Sequence, residues 1–259
     1  MNLEIYQIDA FANELFKGNP AMVVPLKEWI SDELMQDIAA ENNLSETAFY
    51  VEEADVFYIR WFTPTIEVEL CGHATLATAY VIFEREEVEG DQINFNCKSG
   101  FLRVDRSGDS LTLDFPIVGS VEVEIPYWSE LLGGFPISAH KCQDDFLFIY
   151  KSQEEVLTLK PNFLELRDIN CRGIICSSLG EDYDFVSRFF APSSGINEDA
   201  VTGSAHTKLV PYWAGILNKK KLSAKQVSKR GGELECELTN HRVKLTGKSK
   251  LYLKGNVFL

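Results

Sequence analysis

Two six-residue stretches constrain this chain more than anything else in it. Arg60-Trp61-Phe62-Thr63-Pro64-Thr65 and Arg188-Phe189-Phe190-Ala191-Pro192-Ser193 share one pattern at an offset of 128 residues, about half of the 259-residue chain. After each comes a loop, a small-residue turn and an apolar helix-like run. The turns are Cys71-Gly72-His73-Ala74 and Thr202-Gly203-Ser204-Ala205, and the second loop is three residues longer. Two copies of strand, loop, glycine turn and helix predict two similar halves around a pseudo-twofold axis. The length suffices for one large domain or two smaller ones, each with a core of its own.

The rest of the pattern fills those halves. Residues 3–10 alternate as a strand, and 19–25 read as a second strand after the Gly18-Asn19 turn signal. Residues 31–43 read as a helix capped by Ser31, with Asp32 and Glu33 in its first turn. Residues 46–52 and 55–63 are β-rich, and 73–84 form a helix apolar enough to be central. A strand meander follows. In the second half, strands are expected at 144–151, 172–178 and 183–192, and a helix at 204–217 interrupted or kinked at Pro211. The C-terminal stretch reads as strands with turns at Asn240 and Gly247.

Charge narrows the function. A net charge of −14 repels nucleic acid and anionic membrane, so neither is expected as a partner. A carboxylate-bearing substrate would be repelled at long range too, so local donors must hold it. No apolar run approaches the roughly 20 residues that span a bilayer. The N-terminus, with Glu4 and Asp9 and no basic stretch, reads as a strand and not a signal peptide. A cytoplasmic location is expected. The six cysteines form no C-x-x-C pair and are expected to be thiols.

The glycine turns suggest a way to hold an anion. A helix N-terminus offers unpaired N–H groups and partial positive charge, and glycine lets a ligand approach the backbone. Two such helices facing across a cleft would grip a small anionic metabolite from both sides. Cys71 and His73 alone make a poor metal site, because zinc wants three or four ligands and no further Cys/His cluster lies near in sequence. They also make a poor nucleophile and base, because residues at i and i+2 on a turn do not normally point at each other. No G-x-G-x-x-G or P-loop motif is present, so no cofactor is expected.

Taken in order, FKGNPAMVV (16–24), NLSETAF (43–49), CGHATLA (71–77) and RFFAPSSGINEDAVTGSAH (188–206) resemble the motif set of the PhzF-like phenazine biosynthesis isomerase family. The resemblance runs over essentially the whole chain. It implies an α+β, diaminopimelate epimerase-like fold with two pseudo-symmetric halves, each a curved, mostly antiparallel sheet around a central helix. The halves would be 1–114 with 249–259, and 115–248, and a homodimer is expected from the resemblance alone. It further implies a catalytic carboxylate at Glu46 and substrate binding by Gly72, His73, Asp199, Thr202, Gly203 and Ser204. Where the family usually has proline after the aspartate, this chain has Ala200, which would change the stiffness of that loop. Epimerases of this fold use two thiols. The first aligns with Cys71, but the second position holds Thr202, too weak a base to replace a thiolate.

These readings converge on a cofactor-independent isomerase. Glu46 would take a proton from an activated carbon and return it to another carbon of the same unsaturated system; apolar neighbours would raise its pKa if it faces a dry cleft. The competing readings are a non-catalytic metabolite-binding protein on the same scaffold and a thiol epimerase using Cys71. His206 is expected to be structural.

Overall fold

The computed structural model describes residues 1–54, 56–85 and 88–259, in two units: Met1–Asp114 with Thr246–Leu259, and Phe115–Leu245. Position 55, the first of the strand expected at 55–63, lies outside the described residues.

The first unit contains β1 (Asn2–Ala10), β2 (Asn19–Leu26), α1 (Asp32–Asn42), β3 (Glu46–Glu53), β4 (Val56–Phe62), β5 (Glu67–Val68), α2 (Gly72–Glu84), β6 (Gln92–Cys97), β7 (Gly100–Ser107) and β8 (Ser110–Pro116). The second contains β9 (Val121–Val123), β10 (Ser138–Cys142), β11 (Asp145–Ile149), α3 (Gln153–Thr158), α4 (Phe163–Leu166), β12 (Gly173–Leu179), β13 (Phe185–Ala191), β14 (Ile196–Asp199), α5 (Gly203–Leu217), β15 (Lys221–Gln226) and β16 (Gly232–Leu238). The last strand, β17 (Arg242–Phe258), runs into the first unit, where it pairs antiparallel with β1.

Each unit is a mixed sheet packed on a buried helix. In the first, β2 and β3 are parallel, β3 and β4 antiparallel, and β4 is parallel to β6. In the second, β11 and β12 are parallel, β12 and β13 antiparallel, and β13 is parallel to β15. The same order of pairings therefore occurs twice. The repeated hexapeptides fall on matching strands, β4 and β13, and their arginines do the same work. Arg60 makes a two-pronged bond to Glu67 at 2.8 and 2.9 Å and lies over the Phe62 ring. Arg188 makes one to Glu198 at 2.7 and 3.0 Å and lies over Phe190. Forked pairing of this kind fixes orientation as well as charge.

The central helices differ in how they are sustained. Helix α2 is apolar all round and packs on β1, β2 and β3. Helix α5 is not interrupted at Pro211. Proline removes the N–H that would bond the carbonyl four residues earlier, here that of Thr207. Val118 fills the gap: its backbone N–H donates to the Thr207 carbonyl at 3.3 Å. The expected turn at Gly247 is also absent, because Gly247 lies inside β17. A Cβ there would sit 2.4 Å from Phe11 Cδ1, so the glycine serves close packing. The turn before β17 is the one at Asn240, closed by a bond from Thr239 N–H to the Arg242 carbonyl.

Candidate active site

Glu46 opens β3, directly beside Ala21 of β2, and Cys71 precedes the first turn of α2. Folding brings these together with Asn19 and Ser45 around the His73 ring. The Asn19 amide donates through Nδ2 to His73 Nδ1 at 3.2 Å, and Ser45 Oγ donates to Asn19 Oδ1 at 3.3 Å. With Nδ1 accepting, the ring hydrogen sits on Nε2. Nε2 lies 3.2 Å from Glu46 Oε2 and 3.4 Å from Ser45 Oγ. Burial drives the His73 pKa down to about 3, so the ring is neutral; its Nε2 hydrogen-bonds with Ser45 Oγ, and Glu46 Oε2 lies buried beside it. The Glu46 side chain keeps 13% of its surface exposed against 5% for His73, although the oxygen facing the ring, Oε2, is buried.

The structure departs from the sequence expectation for Cys71 and His73 in two ways. Cys71 Sγ lies 3.5 Å from His73 Nδ1, so these neighbours do point at each other. The extended backbone at Cys71, with φ −142° and ψ 111°, precedes a helical turn, and that change of direction folds the two side chains together. The third metal ligand missing from the local sequence is supplied by the sheet: one ligand atom each of Glu46, Cys71 and His73 lies within 4.8 Å of the others. These three side chains could hold a divalent ion. In the present geometry, however, both ring nitrogens already face protein partners.

In the second unit, Asp199 ends β14 and Thr202 caps α5. The Thr202 hydroxyl donates to Asp199 Oδ2 at 2.6 Å, so its hydrogen is committed to the protein. Buried Gln226 ties the loop down: Oε1 accepts from Thr202 N–H at 2.8 Å, and Nε2 donates to the Asp199 carbonyl at 2.8 Å. Ser228 Oγ donates to the Ala200 carbonyl at 2.8 Å. The stiffness that a proline would give at position 200 thus comes from neighbouring side chains. Gly203 and Ser204 begin α5, and Ser204 Oγ accepts from Arg172 at 3.2 Å. His206 Nδ1 donates to the Thr202 carbonyl at 2.8 Å, and burial lowers its pKa to about 4. Burial also pushes the Cys142 and Cys176 thiols up to about 11 and 12, which keeps them protonated and inert.

Sequence reasoning missed Asn19, Ser45 and Gln226. The first two lie within motifs already noted, Asn19 beside a turn glycine and Ser45 beside Glu46, where each reads as local turn chemistry. Gln226 ends a polar strand and carries no signal. A groove of about 820 Å³ in the first unit, lined by residues such as Leu3, Leu26, Trp29 and Arg85, includes none of the Glu46 cluster.

The fold is shared with epimerases, and close curated relatives of the chain are named isomerases. The family model for phenazine biosynthesis-like proteins matches residues 8–256, and the chain belongs to that family. An uncharacterized isomerase of Pseudomonas aeruginosa is 49% identical, with 100% of both chains covered. The crystal structure of a PhzF family protein from Enterococcus faecalis matches with a TM-score of 0.97 and 45% identity over 100% of both chains. A hydroxyproline epimerase from Agrobacterium vitis matches with a TM-score of 0.69 at 12% identity, covering 99% of this chain and 92% of that one, and shares the fold alone.

Proposed function

We propose that the protein is a cofactor-independent isomerase that moves a proton, and with it a double bond, within a small, carboxylate-bearing unsaturated molecule. The observation that carries this reading is the Glu46–His73 pair. A carboxylate oxygen, Glu46 Oε2, lies buried 3.2 Å from Nε2 of a neutral imidazole.

In the proposed reaction, the Glu46 carboxylate takes a proton from a carbon activated by adjacent unsaturation. The C–H electron pair enters the conjugated system and the double bond shifts. The resulting carboxylic acid returns the proton to a different carbon, which regenerates the carboxylate. Protons and electrons balance within the substrate, so no redox partner is needed. Neutral His73 suits this cycle because, beside the carboxylate, it does not compete for the proton. The N–H groups around Gly72 and His73 are proposed to hold the substrate carboxylate; Asp199, Gly203 and Ser204 form the candidate binding turn of the second unit, where the Thr202 N–H and hydroxyl are already bonded to Gln226 and Asp199. Helix N-termini bind anions without adding formal charge, as a protein of net charge −14 requires.

The proximity of Cys71 to His73 favours a thiol epimerase more than the sequence did. Against it stands Thr202 in the matching position of the second unit, its hydroxyl bonded to Asp199.

The test is deuterium incorporation from D2O, read by mass spectrometry, across a panel of dihydroaromatic and β,γ-unsaturated amino acids. Label gained with the wild type and reduced about a hundredfold or more in Glu46→Gln is the expected result. A fully active Glu46→Gln variant overturns the reading. Activity lost in Cys71→Ser but kept in Glu46→Gln would establish the epimerase.

A further inference from the structure

The two units can be aligned by their strand registers. Arg60 stands opposite Phe49, and Arg188 stands opposite Cys176. Counting back along β3 and β12 makes Glu46 equivalent to Gly173, and Ser45 equivalent to Arg172. Glu46 pairs with Ala21 on the neighbouring parallel strand, whereas Gly173 pairs with Asp145. The second unit has therefore lost the carboxylate at the position of Glu46 and gained one on the adjacent strand. At the helix, His73 is equivalent to Ser204.

The second unit builds a cationic cluster in this slot. Asp145 is fully buried. It accepts from Arg172 Nε at 2.9 Å, from Arg172 Nη2, and from the buried Lys208 ammonium at 2.8 Å. Two cations share one anion, so the cluster carries a net positive charge. Both cations reach the first turn of α5. Arg172 Nη2 donates to Ser204 Oγ at 3.2 Å, and Lys208 Nζ donates to the Ser204 carbonyl at 3.1 Å. The Arg172 side chain is 44% exposed, so its charge is felt outside the core.

We propose that Arg172 is a positioning residue that turns Ser204 into a dedicated donor for a substrate carboxylate. The inference rests on the reading of the protein as an isomerase of carboxylate-bearing substrates. A serine hydroxyl has one hydrogen and two lone pairs. With one lone pair occupied by a guanidinium N–H, the hydrogen is left for a ligand, and the neighbouring charge strengthens that donation. The guanidinium is itself held by the forked bond to Asp145, so the hydroxyl is set before the ligand arrives. Equivalent positions have thus divided the labour: Ser45 and Glu46 serve proton transfer, and Arg172 with Ser204 serves anion recognition.

The experiment is isothermal titration of the full-length protein with benzoate, the simplest ring carboxylate, and with benzamide as its neutral counterpart. The wild type is expected to bind benzoate in preference to benzamide. Arg172→Gln and Ser204→Ala should each weaken benzoate roughly tenfold or more, the loss of one charge-assisted bond, with benzamide unchanged. The double variant should be no weaker than either single one, because both act through the same hydrogen. If Arg172→Gln does not fold, Arg172→Lys gives the same reading: it keeps a cation for Asp145 but lacks the fork that reaches Ser204. Absence of benzoate selectivity in the wild type overturns the proposal, and so do unchanged affinity in the Arg172 variants and additive losses in the double variant. Failure of the isomerase reading would show in the labelling experiment with Glu46→Gln, whereas failure here would show in titration with that labelling result intact.

Discussion

Lowering the pH from 7 to 5 should destabilise the protein through two buried histidines, one in each unit. His73 is held down to about 3 and His206 to about 4, both by burial, from an ordinary value of 6.5. The unfolded chain takes up a proton at each site as pH falls through 6.5, and the native protein does not. Stability therefore falls with pH in this window and stops falling on this account only below the native values. The slope approaches about 1.4 kcal/mol per pH unit for each histidine, so between pH 7 and pH 5 each costs about 2 kcal/mol and the two together about 4. Asp32 and Glu67, held below 3.8 and 4.5 by hydrogen bonds from Arg60, lose their contribution only at lower pH. Urea denaturation at pH 7, 6 and 5, followed by circular dichroism, measures the slope. His206→Gln should remove about half of it whatever the variant does to absolute stability. A wild-type midpoint equal at pH 7 and pH 5, or a slope fully retained in the variant, would refute the argument.

Two further substitutions probe contacts that the fold depends on. Gly247→Ala should cost about 1–3 kcal/mol in thermal or denaturant unfolding, because its Cβ meets Phe11 at 2.4 Å and Phe11 is fixed by its own left-handed backbone, φ 56°; unchanged stability would show that the ring moves aside freely. Asn19→Ala should slow deuterium transfer roughly tenfold to a hundredfold without unfolding the protein, since it removes the amide that holds His73 Nδ1; full activity would show that the ring is oriented without it.

What could be read from the sequence was local or repeated. The apolar runs of α2 and α5, the strands β1 to β4 and the duplicated arginine hexapeptides each announce themselves within a dozen residues. What could not be read depends on register. Arg172 meets Asp145 across 27 residues and Ser204 across 32, and neither pairing has a trace in spacing. Pro211 reads as a helix breaker because its remedy, the Val118 N–H, belongs to a distant segment. Gly247 reads as a turn because the ring that excludes a side chain there sits near the other end of the chain. The geometry of Cys71 and His73 was misjudged for a related reason: a residue spacing says little where the backbone changes from extended to helical between the two.

Gly173 bears on stereochemistry. A Cβ at that position would lie 2.2 Å from the Phe189 ring and 3.2 Å from Asp145 Oδ1, so the second unit has no room for a counterpart of Glu46. Under the proposed reaction one carboxylate both removes and restores the proton. The transfer is then suprafacial: a hydrogen leaves and re-enters on the same side of the substrate plane, and a prochiral label would migrate along one face and never cross to the other.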